Sequence, residues 1–228
     1  MLKLIRMEWK TNRIGKYIRN AVILTASLLA FSMLVGAELD RDAPPIYGKS
    51  MLIAGVDLFS HMSYIIFTGV MLAVFITGAY ENRTINLLFS YPIKRRKIIA
   101  AKLLAVWIFN YAALVLSKLA IYVGLFLTSP FTGISVGDIR LGEASFYLNI
   151  LISSAVMVSI SFVALLIGTW MHSSKSVIVA AVILTFFTQG NIGEFTLSGS
   201  IPFYIVLMLL SIASVVLLIA DVEKKDVM

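Results

Sequence analysis

The sequence predicts an all-α integral membrane protein with six transmembrane helices. Hydrophobic residues make up 60% of the 228 residues and charged residues only 14%, so there is too little polar surface to cover a soluble core. The apolar residues form long blocks and are not spaced at intervals of three and four. Lys and Arg gather at particular ends of these blocks, which is a pattern of membrane topology. We therefore attribute the net charge of +7 to the basic residues that set the membrane topology, and we expect no nucleic-acid partner.

The first element is a basic leader over residues 1–20, which we expect to form an interfacial amphipathic helix. Leu2, Ile5 and Trp9 share one helical face, and basic residues can meet anionic lipid headgroups. The apolar face shifts further along the leader, which predicts a bend over residues 12–15.

The six-helix transmembrane domain is expected over residues 21–220, and a cytoplasmic tail over residues 221–228. A helix needs roughly 20 apolar residues to cross about 30 Å of hydrocarbon. The fifth candidate is short, so it either continues into the polar stretch that follows or stops inside the membrane. The six candidates are Ala21–Ala37, Met62–Tyr80, Ile99–Thr128, Phe146–Trp170, Ser176–Phe187 and Ile201–Ala220.

The distribution of Lys and Arg predicts the orientation. With the amino terminus inside, fifteen of these residues lie in cytoplasmic segments and only Arg41, Lys49 and Arg140 lie in outer ones. Basic residues are retained on the cytoplasmic side, so we expect a multi-pass protein of the cell membrane with both termini in the cytoplasm. Five spans in place of six would move the carboxyl terminus outside.

The connection between the second and third spans is the most informative segment. It is predicted to contain a short helix with Ile85, Leu88 and Phe89 on one side, ended by Pro92, which disfavours helix in the residue before it. Apolar side chains on a cytoplasmic loop either contact a partner or lie on the membrane surface.

This segment resembles that of the type-2 ABC exporter permeases, the membrane subunits of ATP-driven efflux pumps. In that family a glutamate ends the second span, a threonine and a Leu-Leu pair precede a proline and basic residues, and a lysine opens the third span. Arg83 occupies the place of the usual glycine. The matching residues, in order, are Glu81, Thr84, Leu87, Leu88, Pro92, Lys94, Arg95 and Lys102.

The resemblance implies that residues 81–90 form a cytoplasmic coupling helix that docks on a separate ABC ATPase subunit. The ATP and Mg would be bound by that partner, and this chain would be neither an enzyme nor the holder of a cofactor. In agreement, Gly48-Lys49 has Ala43 where a phosphate-binding loop requires its first glycine. The implied coupling residues are Glu81, Thr84, Ile85, Leu87, Leu88, Phe89 and Pro92.

The resemblance also implies an assembly and a class of substrate. Six spans provide half of the family's pathway, so a second permease copy is expected, as a homodimer or a heterodimer. Compact permeases of this kind often resemble those that export, or give immunity to, antimicrobial or amphipathic peptides. The basic cluster before the third span is expected to anchor lipid phosphates, with direct contact to a partner as the alternative. Its members are Lys94, Arg95, Arg96 and Lys97.

Polar side chains at membrane depth are the candidates for the substrate path. Lys118 either extends to the outer end of its span or faces the path or an acidic partner such as Asp57 or Glu194. Gln189, Asn191 and Glu194 follow the short fifth span, in a stretch that either dips back into the membrane or forms a plain outer turn.

Two other classes of function stay open. Ser135 lies in a Gly-x-Ser-x-Gly pattern, and His61 and Asp57 would share its side of the membrane, as a serine hydrolase requires. The pattern lies in a loop between two spans and not on a strand-to-helix turn, so we assign no catalytic residue. A non-transporting assembly factor or sensor is the other alternative. Without cysteine and with two histidines, no thiolate metal site is possible, and none is predicted.

Overall fold

The computed structural model of the chain is all-α apart from one short two-stranded ladder, within the residues that it describes. It describes residues 2–39, 51–78, 95–132, 142–171, 173–189, 191–192, 195–196 and 201–224. Five of its helical stretches are long and apolar enough to cross a membrane, which agrees with the predicted class of multi-pass membrane protein. These are Gly15–Leu34, Leu52–Thr77, Arg96–Pro130, Ala144–Gly168 and Pro202–Ala220.

The elements follow one another as helices joined by short connections or by segments outside the described residues. In chain order they are α1 (Leu2–Thr11), α2 (Gly15–Leu39), α3 (Met51–Leu72) with a π-helical turn (Ala73–Thr77), α4 (Arg95–Thr132), α5 (Ala144–Ile160), α6 (Val163–Met171), α7 (Ser174–Gln189), β1 (Asn191–Ile192), β2 (Phe195–Thr196) and α8 (Ile201–Lys224).

The basic leader is divided by a turn where the sequence predicted a bend. Helix α1 ends at Thr11, and Arg13 adopts the left-handed region with φ 49°. The amide of Ile14 donates to the carbonyl of Trp9, which closes the turn. Residues 15–20, expected to belong to the leader helix, form the first turns of α2 instead.

Helix α3 begins at Met51 and not at the predicted Met62. The predicted span did not include the turns that hold Asp57, Ser60 and His61. In the structure Ser60 and His61 are buried, and Asp57 and His61 contact a buried lysine, so a polar helical stretch continues the apolar one. The last turn before residue 78 is π-helical, a local widening that is often found at functional positions.

The fourth predicted span is interrupted between α5 and α6 at Ser161–Phe162. The carbonyls of Ser159 and Phe162 at the break accept from the amides of Phe162 and Leu165. Two serines of α8 add a second hydrogen bond to each carbonyl. The hydroxyl of Ser211 donates to the carbonyl of Ser159 at 2.5 Å, and that of Ser214 donates to the carbonyl of Phe162 at 3.0 Å.

The short fifth span corresponds to α7, which has 16 residues. It is followed by an antiparallel ladder in which Asn191 pairs with Thr196 and Ile192 pairs with Phe195. The stretch after α7 is therefore partly ordered by backbone pairing. The apolar part of α7 itself is shorter than the roughly 20 residues of an ordinary crossing.

The chain separates into two compact units. One is formed by Met1–Ile14, Tyr64–Asn110 and Val156–Met228, and the other by Gly15–Ser63 and Tyr111–Ala155. We call them unit 1 and unit 2.

Close helix packing holds unit 1 together. A Cβ added at Gly69 would overlap the side chain of Ala181, and one added at Gly168 would overlap Val177. Glycine at these two positions lets α3 and α6 approach α7 until the backbones are nearly in contact, which is how helices commonly associate in membranes.

Unit 2 has its own apolar core of aliphatic and aromatic side chains. Helix α2 contributes Leu28, and Gly124 of α4 leaves room for Leu29, whose methyl groups a Cβ there would meet. The other buried core residues are Leu52, Ile53, Val56, Ile121, Tyr122, Leu125 and Ile150.

Candidate functional site

A buried ion pair joins α3 and α4 within unit 2. Nζ of Lys118 lies 2.7 Å from Oδ1 of Asp57. The lysine side chain is completely buried, whereas that of the aspartate is 20% exposed. A charged side chain at membrane depth is costly unless it is paired. Lys118 therefore takes the acidic partner that the sequence suggested and does not extend to the outer end of its helix.

Two further side chains contact the ammonium. Nε2 of His61 lies 2.8 Å from Nζ of Lys118, and Oγ of Ser153 lies 3.3 Å from it. An ammonium has three N–H donors and no acceptor. We therefore infer that Nε2 accepts in this contact and that the ring of His61 is neutral, with its hydrogen on Nδ1.

Helical spacing explains how these groups come together. Asp57 and His61 are four residues apart on α3, and Lys118 and Tyr122 are four residues apart on α4, so each pair lies on one face of its helix. The hydroxyl of Tyr122 donates to Oδ1 of Asp57 over 3.4 Å. We call Asp57, His61, Lys118, Tyr122 and Ser153 the Lys118 cluster.

A second ion pair ties α1 to the beginning of α4 in unit 1. Nζ of Lys102 lies 2.7 Å from Oε2 of Glu8, and both side chains are close to nine-tenths buried. Nε1 of Trp9 donates to the carbonyl of Ala105 at 3.1 Å, and Ile5 is buried against the same part of α4. The apolar face of the leader thus packs on α4, where the sequence had predicted only lipid. We call these contacts the α1–α4 clamp.

The predicted coupling residues lie outside the described residues. These are Glu81, Thr84, Ile85, Leu87, Leu88, Phe89 and Pro92. The segment that holds them is flanked by the π-helical turn at the end of α3 and by the first turn of α4.

The basic cluster is only partly described. Lys94 lies outside the described residues, and Arg95 is the first residue of α4. Arg96 and Lys97 are exposed, as an anchor for lipid phosphates requires.

The predicted substrate-path residues are distributed over both units and the part of the chain outside the described residues. Lys118 belongs to unit 2, whereas Gln189 ends α7 in unit 1, where its amide nitrogen contacts the sulfur of Met157 at 4.0 Å. Asn191 is part of β1, and Glu194 lies outside the described residues.

Comparison with known proteins gives one relative across the whole chain. The chain is 23% identical over 236 residues to the uncharacterized protein YcbO of Bacillus subtilis (strain 168), and the match covers 99% of this chain and all of that protein. No family model matches the sequence. No solved structure matches it either.

The described residues contain no group of three or more His, Asp or Glu side chains that could hold a metal ion. Ser135 of the hydrolase pattern lies outside the described residues. Its proposed partners, Asp57 and His61, both contact Nζ of Lys118, an arrangement in which the imidazole nitrogen already accepts a hydrogen bond.

Sequence reasoning missed several members of the two sites. It treated Ser153 as a packing residue and gave Tyr122, Glu8 and Trp9 no polar partner. The signal for the cluster was available in the spacing, because an Asp-x-x-x-His pair on one span and a Lys-x-x-x-Tyr pair on another each present two polar groups on one face.

Proposed function

We propose that this chain is the membrane permease subunit of an ATP-driven ABC exporter, with both termini in the cytoplasm. The coupling-segment pattern supports this function, together with the apolar helices of a multi-pass membrane protein. In this proposal α7 and the ladder after it complete a sixth crossing. The ATPase is a separate subunit, and a second permease copy supplies the other half of the pathway.

The α1–α4 clamp is the structural observation that carries the proposal. Lys102 is the lysine that opens the third span in the resembling family, and here it is the residue that binds Glu8. The coupling segment leads directly into α4, so a force applied to that segment would pass into this helix. The first turns of α4 are already bound to α1. A rigid lever of this kind is what the rocking of packed helices requires.

The proposed substrates are amphipathic or antimicrobial peptides. Such molecules partition into the membrane interface, from which a bundle of apolar helices can accept them. The Lys118 cluster supports a transport role more generally, because paired charges at membrane depth mark substrate and ion pathways in membrane proteins.

The experiment is co-purification of the chain from its native cells in mild detergent, followed by measurement of ATPase activity with and without peptide. We expect a stoichiometric ABC ATPase and peptide-stimulated hydrolysis. The variant Leu88→Asp with Phe89→Asp should lose both, because two carboxylates on the apolar side of the coupling helix oppose its burial in the ATPase groove.

The matched control is Asn86→Asp with Ser90→Asp, which adds the same charge on another side of the predicted helix and should keep the ATPase bound. Retention of ATPase and of stimulation by the Leu88/Phe89 variant would refute the coupling role. A well-folded chain that captures no ATPase would favour the non-transporting assembly or sensor function.

A further inference from the structure

We propose that the Lys118 cluster is a proton-binding site, in which uptake of a proton by His61 exchanges its contact with Lys118 for one with Asp57, whose two oxygens then serve both cations. This inference does not depend on the ATPase or on the identity of a transported substrate. It rests on the contacts of the cluster within unit 2.

The first step is the assignment of hydrogens. Lys118 donates to Asp57 at 2.7 Å, to Ser153 at 3.3 Å and to Nε2 of His61 at 2.8 Å. These contacts use the three N–H donors of the ammonium. The third contact exists only while Nε2 is an acceptor, so the observed arrangement holds one positive charge, one negative charge and a neutral ring.

The second step is the effect of one more proton. A proton on Nε2 of His61 would turn the acceptor into a donor and place two cations 2.8 Å apart in a buried site. Asp57 lies one turn away on the same face of α3, within reach of the protonated ring once the ammonium moves. The proton therefore lets the ring take one oxygen of Asp57 in exchange for its contact with Lys118, which keeps Ser153 and the other oxygen.

The third step is access. The side chain of Asp57 is 20% exposed, so the carboxylate connects the buried ammonium to the surface of the unit.

The exchange would change helix packing as well as charge. Lys118 is fully buried and links α4 to α3 through Asp57 and to α5 through Ser153. Tyr122, on the same face of α4, also donates to Asp57. The titratable groups of the cluster are Lys118, in direct contact with His61, and Asp57 and Tyr122, which contact each other, and protonation rearranges the links between three helices.

The test measures the proton and the helices together in lipid nanodiscs. In the His172→Gln variant His61 is the only imidazole, so its tautomer and protonation can be followed by nitrogen NMR. Spin labels on cysteines at Gly55, where a side chain meets open space, and at Leu116, which is exposed, report the separation of α3 and α4. The chain has no other cysteine.

We expect a neutral ring with its hydrogen on Nδ1 at about pH 8, and a single protonation step on acidification to about pH 5. The label separation should change over the same pH interval. In His61→Gln, whose amide oxygen can still accept from Lys118 but cannot be protonated, the separation should be independent of pH.

Three outcomes would overturn the proposal. They are a ring that is already charged at about pH 8, a ring that stays neutral throughout, and a pH-dependent separation that persists in His61→Gln. The NMR measurement on the chain with native His61 tests the site even if the glutamine variant folds poorly.

Discussion

Replacement of Lys118 by methionine should strongly destabilise the chain. At an effective dielectric constant of about 20, unit charges at 2.7 Å attract by about 6 kcal/mol, and desolvation of both groups offsets part of this. Removing one partner leaves the Asp57 carboxylate without its counter-ion. Loss of a partner from a buried pair costs about 3–5 kcal/mol, and the 20% exposure of Asp57 favours the lower half of that range.

The assay is reversible unfolding in mixed micelles, with the free energy of unfolding extrapolated to mild detergent alone. Lys118→Met should lower it by about 3–4 kcal/mol, and adding Asp57→Leu should restore at least about 2 kcal/mol, because an apolar pair of similar volume leaves no unpaired charge. Lys175→Met, at an exposed lysine of α7, is the matched control and should change it by less than about 0.5 kcal/mol. The reasoning would be refuted if Lys118→Met left the free energy of unfolding unchanged, or if the double variant were less stable than either single variant.

Three further predictions concern other features of the chain. Glu8→Lys should weaken peptide-stimulated ATPase activity by loosening α1 from α4, and the added exchange Lys102→Glu should restore it; failure of the double variant to recover would argue against the clamp. Ser214→Ala should lower the free energy of unfolding by about 0.5–1.5 kcal/mol, because the carbonyl of Phe162 loses one of its two donors and keeps the amide of Leu165. An unchanged value would mean that the serine hydrogen bond adds no stability. A single cysteine at Lys94 should be protected from impermeant thiol reagents in intact cells, and rapid labelling there would invert the predicted orientation.

The apolar blocks were enough to predict the helical membrane class, because hydrophobicity over about 20 residues is a property of the sequence alone. The second span was predicted to begin too late in the chain, because its beginning depends on a contact that the sequence alone does not show. Asp57 and His61 look unsuited to a span until Lys118 is placed against them. The free-energy cost of a charged side chain within a span depends on whether it has a partner. Here the partners are residues 57 and 118, which are far apart in the chain.

The break in the fourth span was hidden for a related reason. The interruption lies at Ser161 and Phe162, and neither is a proline or a glycine, the residues that usually indicate a break. The sequence therefore predicts one continuous helix. The carbonyls of Ser159 and Phe162 at the break accept from amides three residues further along, and from Ser211 and Ser214 of α8 as well. The second donor of each carbonyl lies 52 residues further along the chain, so the sequence around the break does not show it.

The Lys102–Glu8 and Lys118–Asp57 ion pairs differ in what they can do. Lys102 and Glu8 each meet a single counter-ion beside an indole that fixes the register of α1 on α4, an arrangement suited to a permanent joint. Lys118 instead shares its donors between a carboxylate and an imidazole that are one helical turn apart. An acceptor that can itself take up a proton gives the second pair an alternative arrangement that the first lacks. For this reason we expect the α1–α4 clamp to keep its arrangement and the Lys118 cluster to be the one that changes with pH.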